Sequence, residues 1–218
     1  QCTLGQADAA ETSVQRALAL GLDEGRIIGG THTGLDAIRK RPLLQGLLKE
    51  YGGKPVHGPM LANLGGTSAT IWLRTADNAV VHVEAYTVSS RESSQVKAEA
   101  YAKRENDLVA KVVLKGLSPE TTYRYTVSID GQKNDSIKYQ FTTFSQEGKP
   151  GKFRLAFGGG AGFVPQHEYV WNTIAATKPQ ALFQLGDNVY IDNTKVMDMH
   201  YYCYYRRQSR PEYRALIA

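Results

Sequence analysis

An aspartate that directly follows an apolar segment and a glycine is the residue best placed for chemistry in this sequence. Asp187 comes after Ala181–Leu185 (ALFQL) and Gly186, within the run LGDNVY. If the apolar segment is a buried strand, the carboxylate emerges at the rim of a sheet, and Gly186 lets the backbone turn there. A carboxylate in that place can hold a cation, or it can cap a turn or a following helix. The spacing alone leaves both interpretations open.

A glycine-rich loop is the second candidate. Gly158–Gly162 (GGGAG) follows the apolar segment Phe153–Phe157 (FRLAF), and its backbone N–H groups could form an anion-binding concavity. It is not a Walker P-loop, since no Lys-Ser/Thr pair follows the glycines, so a nucleoside triphosphate is not expected. His167 and Glu168 follow the loop and could contribute to a metal site, although a single histidine at a helix start is more often a cap or a surface residue.

Two parallel strands would bring these loops together. Phe153–Phe157 and Ala181–Leu185 are the predicted strands, and His167–Thr177 between them is a predicted helix. This order opens an α/β domain, in which ligands bind beyond the carboxyl ends of the strands. One such unit does not complete the fold, so we expect only the beginning of that domain in this chain.

A β-sandwich is predicted before the α/β unit, because short alternating segments rich in β-branched and aromatic residues follow one another at regular intervals. The predicted strands are Ser68–Arg74, Ala79–Thr87, Leu108–Leu114, Thr122–Ile129 and Ile137–Thr143. Within Gly116–Tyr125 (GLSPETTYRY), the alternate positions Leu117, Pro119, Thr121 and Tyr123 resemble the tyrosine corner of fibronectin type III domains.

The first 55 residues predict a helical arm that packs its leucines on a larger body. Ala9–Leu20 is rich in helix formers, and Pro42 is expected to split the later leucine-rich stretch into two short helices. Gly148–Lys152 (GKPGK) marks a linker. The predicted chain is therefore α+β and multi-domain, with a helical N-terminal arm (1–55), a fibronectin III-like β-sandwich (56–147) and the beginning of an α/β domain (148–218).

Composition is typical of a globular protein, with 42% hydrophobic and 22% charged residues among 218. The net charge of +5 suits an anionic ligand, and no apolar run is long enough to cross a bilayer. Cys2 and Cys203 could form one disulfide or remain two thiols. The start of the sequence has no methionine and no apolar leader, as after removal of a secretory signal or at an arbitrary boundary. We expect a secreted or periplasmic protein.

The sandwich followed by FRLAFGGGAG and ALFQLGDNVYID resembles the PhoD-like alkaline phosphatases of the calcineurin-like metallophosphoesterase superfamily, over about Val56–Ala218. The resemblance implies an α/β/β/α catalytic domain in which two metal ions hydrolyse phosphate esters. Asp187 matches an aspartate that bridges both metals, and Tyr190 a tyrosine that ligates one. Tyr190 could instead be a packed aromatic whose hydroxyl bonds backbone.

The same resemblance suggests the surroundings and the identity of the metals. Gly159, Gly160, His167 and Asn188 would lie near the phosphate or the metals. A phenolate ligand favours Fe³⁺ and carboxylates also suit Ca²⁺, with Zn²⁺ a third candidate.

Two departures from the family pattern limit what this chain can do alone. Gly160 stands where the family has a metal-ligating cysteine, and after Asp192 only His200 is a histidine, in no matching motif. Asp187 and Tyr190 cannot hold two metals by themselves. We therefore expect the isolated chain to be inactive, with the remainder of the catalytic domain downstream or on another chain. The alternative is a non-catalytic extracellular binding module with a degenerate phosphatase segment.

The segment Met197–Arg214 combines five tyrosines with four arginines. Such interleaving can bind single-stranded nucleic acid. An amphipathic helix that covers the catalytic sheet, with its arginines solvated or paired, is the preferred interpretation. Nucleic acid is not an expected partner; a phosphate ester is.

Overall fold

The helices of the N-terminal arm pack around a small apolar core that also includes Val56 and Ala76. The computed structural model describes residues 1–88, 95–133 and 139–218. The arm contains α1 (Ala7–Ala19), α2 (Gly25–Ile28), α3 (Asp36–Arg39) and α4 (Pro42–Glu50). Its buried side chains include Val14, Ile28, Ile38 and Leu44. Pro42 occupies the first position of α4, where its missing N–H costs nothing, so the predicted break at this residue is observed.

Two antiparallel sheets follow the arm and form a β-sandwich. The strands are β1 (His57–Ala62), β2 (Ser68–Arg74), β3 (Ala79–Thr87), β4 (Gln95–Ala102), β5 (Val109–Lys115), β6 (Thr122–Ile129), β7 (Gln132–Lys133) and β8 (Tyr139–Thr142). One sheet has the order β1-β2-β5 and the other β4-β3-β6-β7, with β8 also paired to β6. Alternate residues of each strand, such as Ile71, Val83, Val112 and Tyr125, fill the space between the sheets.

The predicted tyrosine corner is present. The backbone N–H of Ser118 donates to the Tyr123 hydroxyl at 2.9 Å, and Leu117 is buried in the same core. This bond fixes the turn that enters β6, as it does in other fibronectin-like sandwiches.

Three strands of the sandwich, β1, β4 and the two-residue β7, lie outside the sequence prediction. In β1 the run HGPMLA carries a glycine and a proline, and β4 (QVKAEAYA) is rich in residues that favour helices. β4 is nonetheless held in a strand by its pairing along the whole of β3. Of the predicted strand Ile137–Thr143, Tyr139–Thr142 forms β8, and residues 137 and 138 lie outside the described residues.

The last part of the chain forms one parallel strand pair with three helices. β9 (Leu155–Gly158), α5 (Val170–Ala176) and β10 (Ala181–Gln184) are followed by α6 (Met197–Gln208) and α7 (Pro211–Ile217). His167, the first residue of the predicted helix, ends a 3₁₀ turn (Pro165–His167), and the α-helix itself begins at Val170. Pro211 separates α6 from α7, because its ring cannot continue a helix.

The tyrosine-rich segment lies only in part where it was predicted. α6 packs against α2 and β1, and α7 packs against α5 and β1. One face of the β9–β10 pair is open: Phe157 and Phe183 stack on each other at 5.2 Å and are 61% and 47% exposed. The opposite face of the pair, with Leu182 and Gln184, lies beside Tyr213 at the end of the same segment. The face that carries Phe157 and Phe183 is not covered by α6. The buried side chains of α6, including Tyr205 and Arg207, instead find partners in the arm, the sandwich and the loops after the strands.

Among the described residues, no helix is both long and apolar enough to span a bilayer. Cys2 and Cys203 are both free thiols, Cys203 buried in α6 and Cys2 in the arm. The alternative of a disulfide between them is not what the structure has.

Candidate functional site

The two predicted loops meet at one edge of the parallel pair. The strands run in register, with Phe157 opposite Phe183. Both chains therefore leave the sheet at the same end, as the glycine loop (Gly158–Phe163) and the aspartate loop (Gly186–Asp192). The N–H of Ala161 donates to the Asp187 carbonyl at 2.8 Å and joins the two loops directly.

Asp187 presents its carboxylate at this rim. Its φ of +47° and the φ of +113° at Gly186 form the tight turn that the glycine was expected to allow. The next helix begins only at Met197, so the interpretation of Asp187 as a helix cap is wrong. The carboxylate is exposed and is available for a ligand.

Tyr190 lies against this carboxylate. Its hydroxyl donates to Asp187 Oδ2 at 2.8 Å, and the ring is 48% exposed. The bond favours the protonated phenol, and with the nearby negative charge it raises the pKa of Tyr190. The alternative of a packed ring with a backbone partner is wrong, since the partner is a carboxylate. Asp187 and Tyr190 thus form a pair of oxygen donors on the surface.

The other predicted site residues surround a cavity of about 670 Å³ beside the loops. Gly159, Gly160, His167 and Asn188 all line it. Gly160 has φ +64° and open space at its Cβ position, so the backbone conformation and not crowding favours glycine there. His167 lies exposed in the 3₁₀ turn. The Oδ1 atom of Asn188 is buried without a hydrogen-bond partner among the described residues.

A buried ion pair lies beside this cavity, and the sequence did not predict it. Arg207 Nη1 donates to Glu168 Oε2 at 2.6 Å, and the two side chains are 6% and 3% exposed. Trp171 Nε1 donates to the same carboxylate oxygen at 2.8 Å. Through Nη2, Arg207 also donates to the carbonyls of Ala161 and Gly162, at 2.7 and 3.3 Å. Thirty-nine residues separate the pair along the chain, and no motif connects them.

The neighbouring arginine contacts the other loop. Arg206 pairs with Asp192 at 3.0 Å, and its guanidinium lies over the Phe163 ring at 4.4 Å from the ring centre. The arginines of this segment are therefore engaged within the chain, as the packing interpretation of Met197–Arg214 requires.

A second polar cluster, here called the hub, joins α6 to the sandwich. Its centre is Arg74, which donates to Asp107 Oδ2 at 2.5 Å, to the Asp107 carbonyl at 3.0 Å and to Gln208 Oε1 at 2.6 Å. Tyr205 donates to Asp107 Oδ1 at 2.8 Å. The arm closes the cluster, because the N–H of Thr31 donates to the same Asp107 oxygen at 3.0 Å.

His57 completes the hub. Arg74 Nη1 donates to His57 Nδ1 at 2.7 Å, and since arginine only donates, this nitrogen is unprotonated. The other nitrogen, Nε2, then carries the proton and faces Ser209 Oγ at 3.1 Å. Complete burial, together with the positive charges of Arg74 and Arg214, holds the pKa of His57 well below its ordinary value.

The donors present at the rim fit one corner of a metal centre. A carboxylate and a phenol are oxygen ligands suited to hard cations. In the part of the chain that the structure describes, however, no group of three His, Cys, Asp or Glu side chains is placed to hold an ion. Two donors are too few for two metal ions. His200 adds none, since its Nε2 bonds the Thr194 carbonyl in front of α6.

Comparisons with known proteins match the sandwich and part of the overall fold. A family model described as a domain of unknown function (DUF7800) matches residues 54–143, which is the sandwich. The structure of PhoD aligns with a TM-score of 0.63 and 15% identity over 73% of this chain and 36% of that one. The chain shares part of the PhoD fold. It spans about a third of the length of the PhoD chain.

Other solved structures align over less than half of this chain. The third fibronectin III domain of human KIAA0343 protein has a TM-score of 0.30 at 15% identity, over 44% of this chain and 91% of that one. The sensor domain of the anti-sigma factor RsgI4 of Pseudobacteroides cellulosolvens has a TM-score of 0.32 at 16% identity, over 44% and 97%. A search of curated proteins finds no match.

Proposed function

We propose that this chain supplies the sandwich and the first α/β unit of a metal-dependent hydrolase of phosphate esters. The observation that carries the proposal is the position of Asp187, at the carboxyl end of β10 with the Tyr190 hydroxyl against it, within a fold shared in part with PhoD. Ligands of α/β sheets bind at this edge.

Asp187 and Tyr190 would be the chain's own ligands to the two metals. When bound, such metals lower the pKa of water and offset charge on the phosphate oxygens. The Tyr190 oxygen would be free to hold a cation only after its hydroxyl proton, which is now donated to Asp187, had passed to solvent. The identity of the metals, Fe³⁺, Ca²⁺ or Zn²⁺, and a secreted or periplasmic location stay predictions.

The glycine loop would receive the phosphate. The N–H of Ala161 donates to the Asp187 carbonyl, and the N–H of Gly162 donates to the Gly160 carbonyl. The N–H groups of Gly159 and Gly160 are then those that an anion could approach at the same rim. Backbone donors of this kind bind anions without a charged side chain.

The missing ligands would come from the remainder of the catalytic domain, downstream or on another chain. Parallel sheets are normally covered on both faces. The exposed pair of Phe157 and Phe183 gives the β9–β10 sheet an apolar face against which that remainder can pack. The isolated chain would accordingly be inactive.

Hydrolysis of bis(4-nitrophenyl) phosphate and 4-nitrophenyl phosphate by the full-length protein tests the proposal. We expect D187N to lower kcat/KM at least about 100-fold, because the variant would remove the carboxylate charge that is proposed to hold the metals. The matched control is D130N, the same change in a turn of the sandwich where Asp130 accepts from the Val80 N–H. If D187N hydrolyses both compounds as fast as D130N does, the proposed site is wrong.

The alternative function is a non-catalytic binding module with a degenerate phosphatase segment. It is favoured by the glycine at position 160 and by the two-donor rim. A full-length protein that hydrolyses neither compound under any supplied metal would support it.

A further inference from the structure

One helix holds both loops of the candidate site through two consecutive side chains. Arg207 donates to two carbonyls of the glycine loop. Arg206 pairs with Asp192 of the aspartate loop and stacks on Phe163, the last residue of the glycine loop. The relative position of the two loops is therefore set by where α6 lies.

The same end of α6 is fixed to the body of the molecule by the hub. Tyr205 donates to Asp107, Gln208 accepts from Arg74, and Ser209 faces His57. Gly30 of the arm, at φ +65°, lies so close to the Tyr205 hydroxyl and the Asp107 carboxylate that a side chain would not fit there. These contacts, all within about one helical turn at the end of α6, leave this part of the helix little freedom.

We propose that Arg206 and Arg207 are positioning residues. The hub holds α6 in place, and α6 acts as a bracket that fixes the positions of both loops relative to the hub. The inference depends on the proposed function only in treating these two loops as the site. It assigns the arm and the sandwich a part in the geometry of the site, although neither contributes a side chain to it.

The geometry explains why arginine is needed at position 207. Nη1 of Arg207 donates to Glu168 while Nη2 donates to the two carbonyls of the glycine loop. The planar guanidinium therefore bonds the carboxylate and the loop at the same time. A lysine ammonium can keep the charge pair with Glu168 but is a single point donor. R207K should therefore free the glycine loop without leaving a buried charge unpaired.

Hydrogen exchange of the full chain tests the bracket, because it needs neither metal nor turnover. In R207K we expect amides of the glycine loop to exchange about tenfold faster than in the wild type, with sandwich peptides unchanged. R206K should act in the same way on the aspartate loop. The matched control is R210K, since Arg210 pairs with Glu212, two residues away in sequence.

Amide NMR spectra give a local signature. The carbonyls that Arg207 binds belong to the peptide groups of the Gly162 and Phe163 amides. These two resonances should shift in R207K and stay in place in R210K. A purely global loss of stability would not single them out.

A double variant separates loop positioning from the cost of a buried charge. E168Q/R207M removes both charges together, so an unpaired buried ion is avoided. It still lacks the bonds to the glycine loop, and we expect fast loop exchange with a urea midpoint close to that of the wild type. If loop exchange in R207K and in the double variant stays within about twofold of the wild type, the proposal is wrong. A wild-type rate of loop exchange in the double variant, with fast exchange in R207K, would also contradict the proposal. A chain without hydrolytic activity can still show the bracket, so the two proposals fail separately.

Discussion

The hub and the rim each contain a tyrosine hydroxyl that donates to an aspartate, but in opposite surroundings. In the hub, Arg74 is buried and each of its nitrogens has a partner. At the rim, Asp187 and Tyr190 share one hydrogen bond and are open to solvent. A buried guanidinium with full pairing costs much to disturb, whereas an exposed pair contributes little to stability. The hub is therefore the rigid part of the molecule, whereas the oxygen atoms of Asp187 and Tyr190 at the rim are accessible to a ligand.

This difference predicts which charge pairs carry stability. D107A leaves the Arg74 guanidinium buried without its carboxylate partner, and we expect the free energy of unfolding to fall by about 3 kcal/mol. D192A removes the partner of Arg206 at the rim, where the Asp192 side chain is 54% exposed, and should cost less than about 1 kcal/mol. Urea denaturation followed by circular dichroism measures both. Equal losses in the two variants would contradict the contrast.

Acid should weaken the hub through His57. Its pKa is lowered in the folded state, so the unfolded chain binds a proton below about pH 6.5 that the folded chain excludes. Stability is therefore fully present above that pH and is lost as the pH falls, by up to about 1.4 kcal/mol per pH unit for this one group. Burial lowers the pKa of His32 in the arm as well, which adds to the loss in the same direction.

The control for this effect compares two histidine variants. H57N should flatten the dependence of the urea midpoint on pH between 7.5 and 5, while H167N, at the exposed 3₁₀ turn, should leave the slope as it is. An unchanged slope in H57N would show that His57 does not carry the acid sensitivity.

The smallest expected effect concerns the rim itself. Tyr190 has a raised pKa because its hydroxyl is bonded to the Asp187 carboxylate. In D187N the negative charge is gone, and the pKa of Tyr190 should return toward its ordinary value, with no measurable change in the urea midpoint. Carbon-13 labelling of the tyrosine ring and titration by NMR resolve this residue. The control is D192N, in the same loop. No change in D187N would mean that the two groups do not interact in solution.

Local sequence patterns predicted the elements that carry the rim. The run LGDNVY predicted that Asp187 follows the end of a strand. The prediction was possible because the order of apolar strand, glycine and acidic residue defines a turn over only a few neighbouring residues. The tyrosine corner was predictable for the same reason. β4 was missed, because pairing with β3 overrides its helix-favouring residues.

The hub and the bracket could not be predicted in this way. Arg74 and Gln208 are 134 residues apart, and each arginine of α6 is equally consistent with a solvated surface. Tyrosine and arginine spacing indicated a helix but not which side would be buried or where it would lie. Only the packing of α6 against the arm and β1 reveals those contacts.

Metal analysis of the full-length protein by ICP-MS, with and without D187N, tests the central claim most directly. The proposed function predicts about two metal ions per molecule in the wild type and a loss of at least one in D187N, with D130N unchanged. A full-length wild type that retains no metal after incubation with Fe³⁺, Ca²⁺ or Zn²⁺, or a D187N variant that retains the full content, would contradict it.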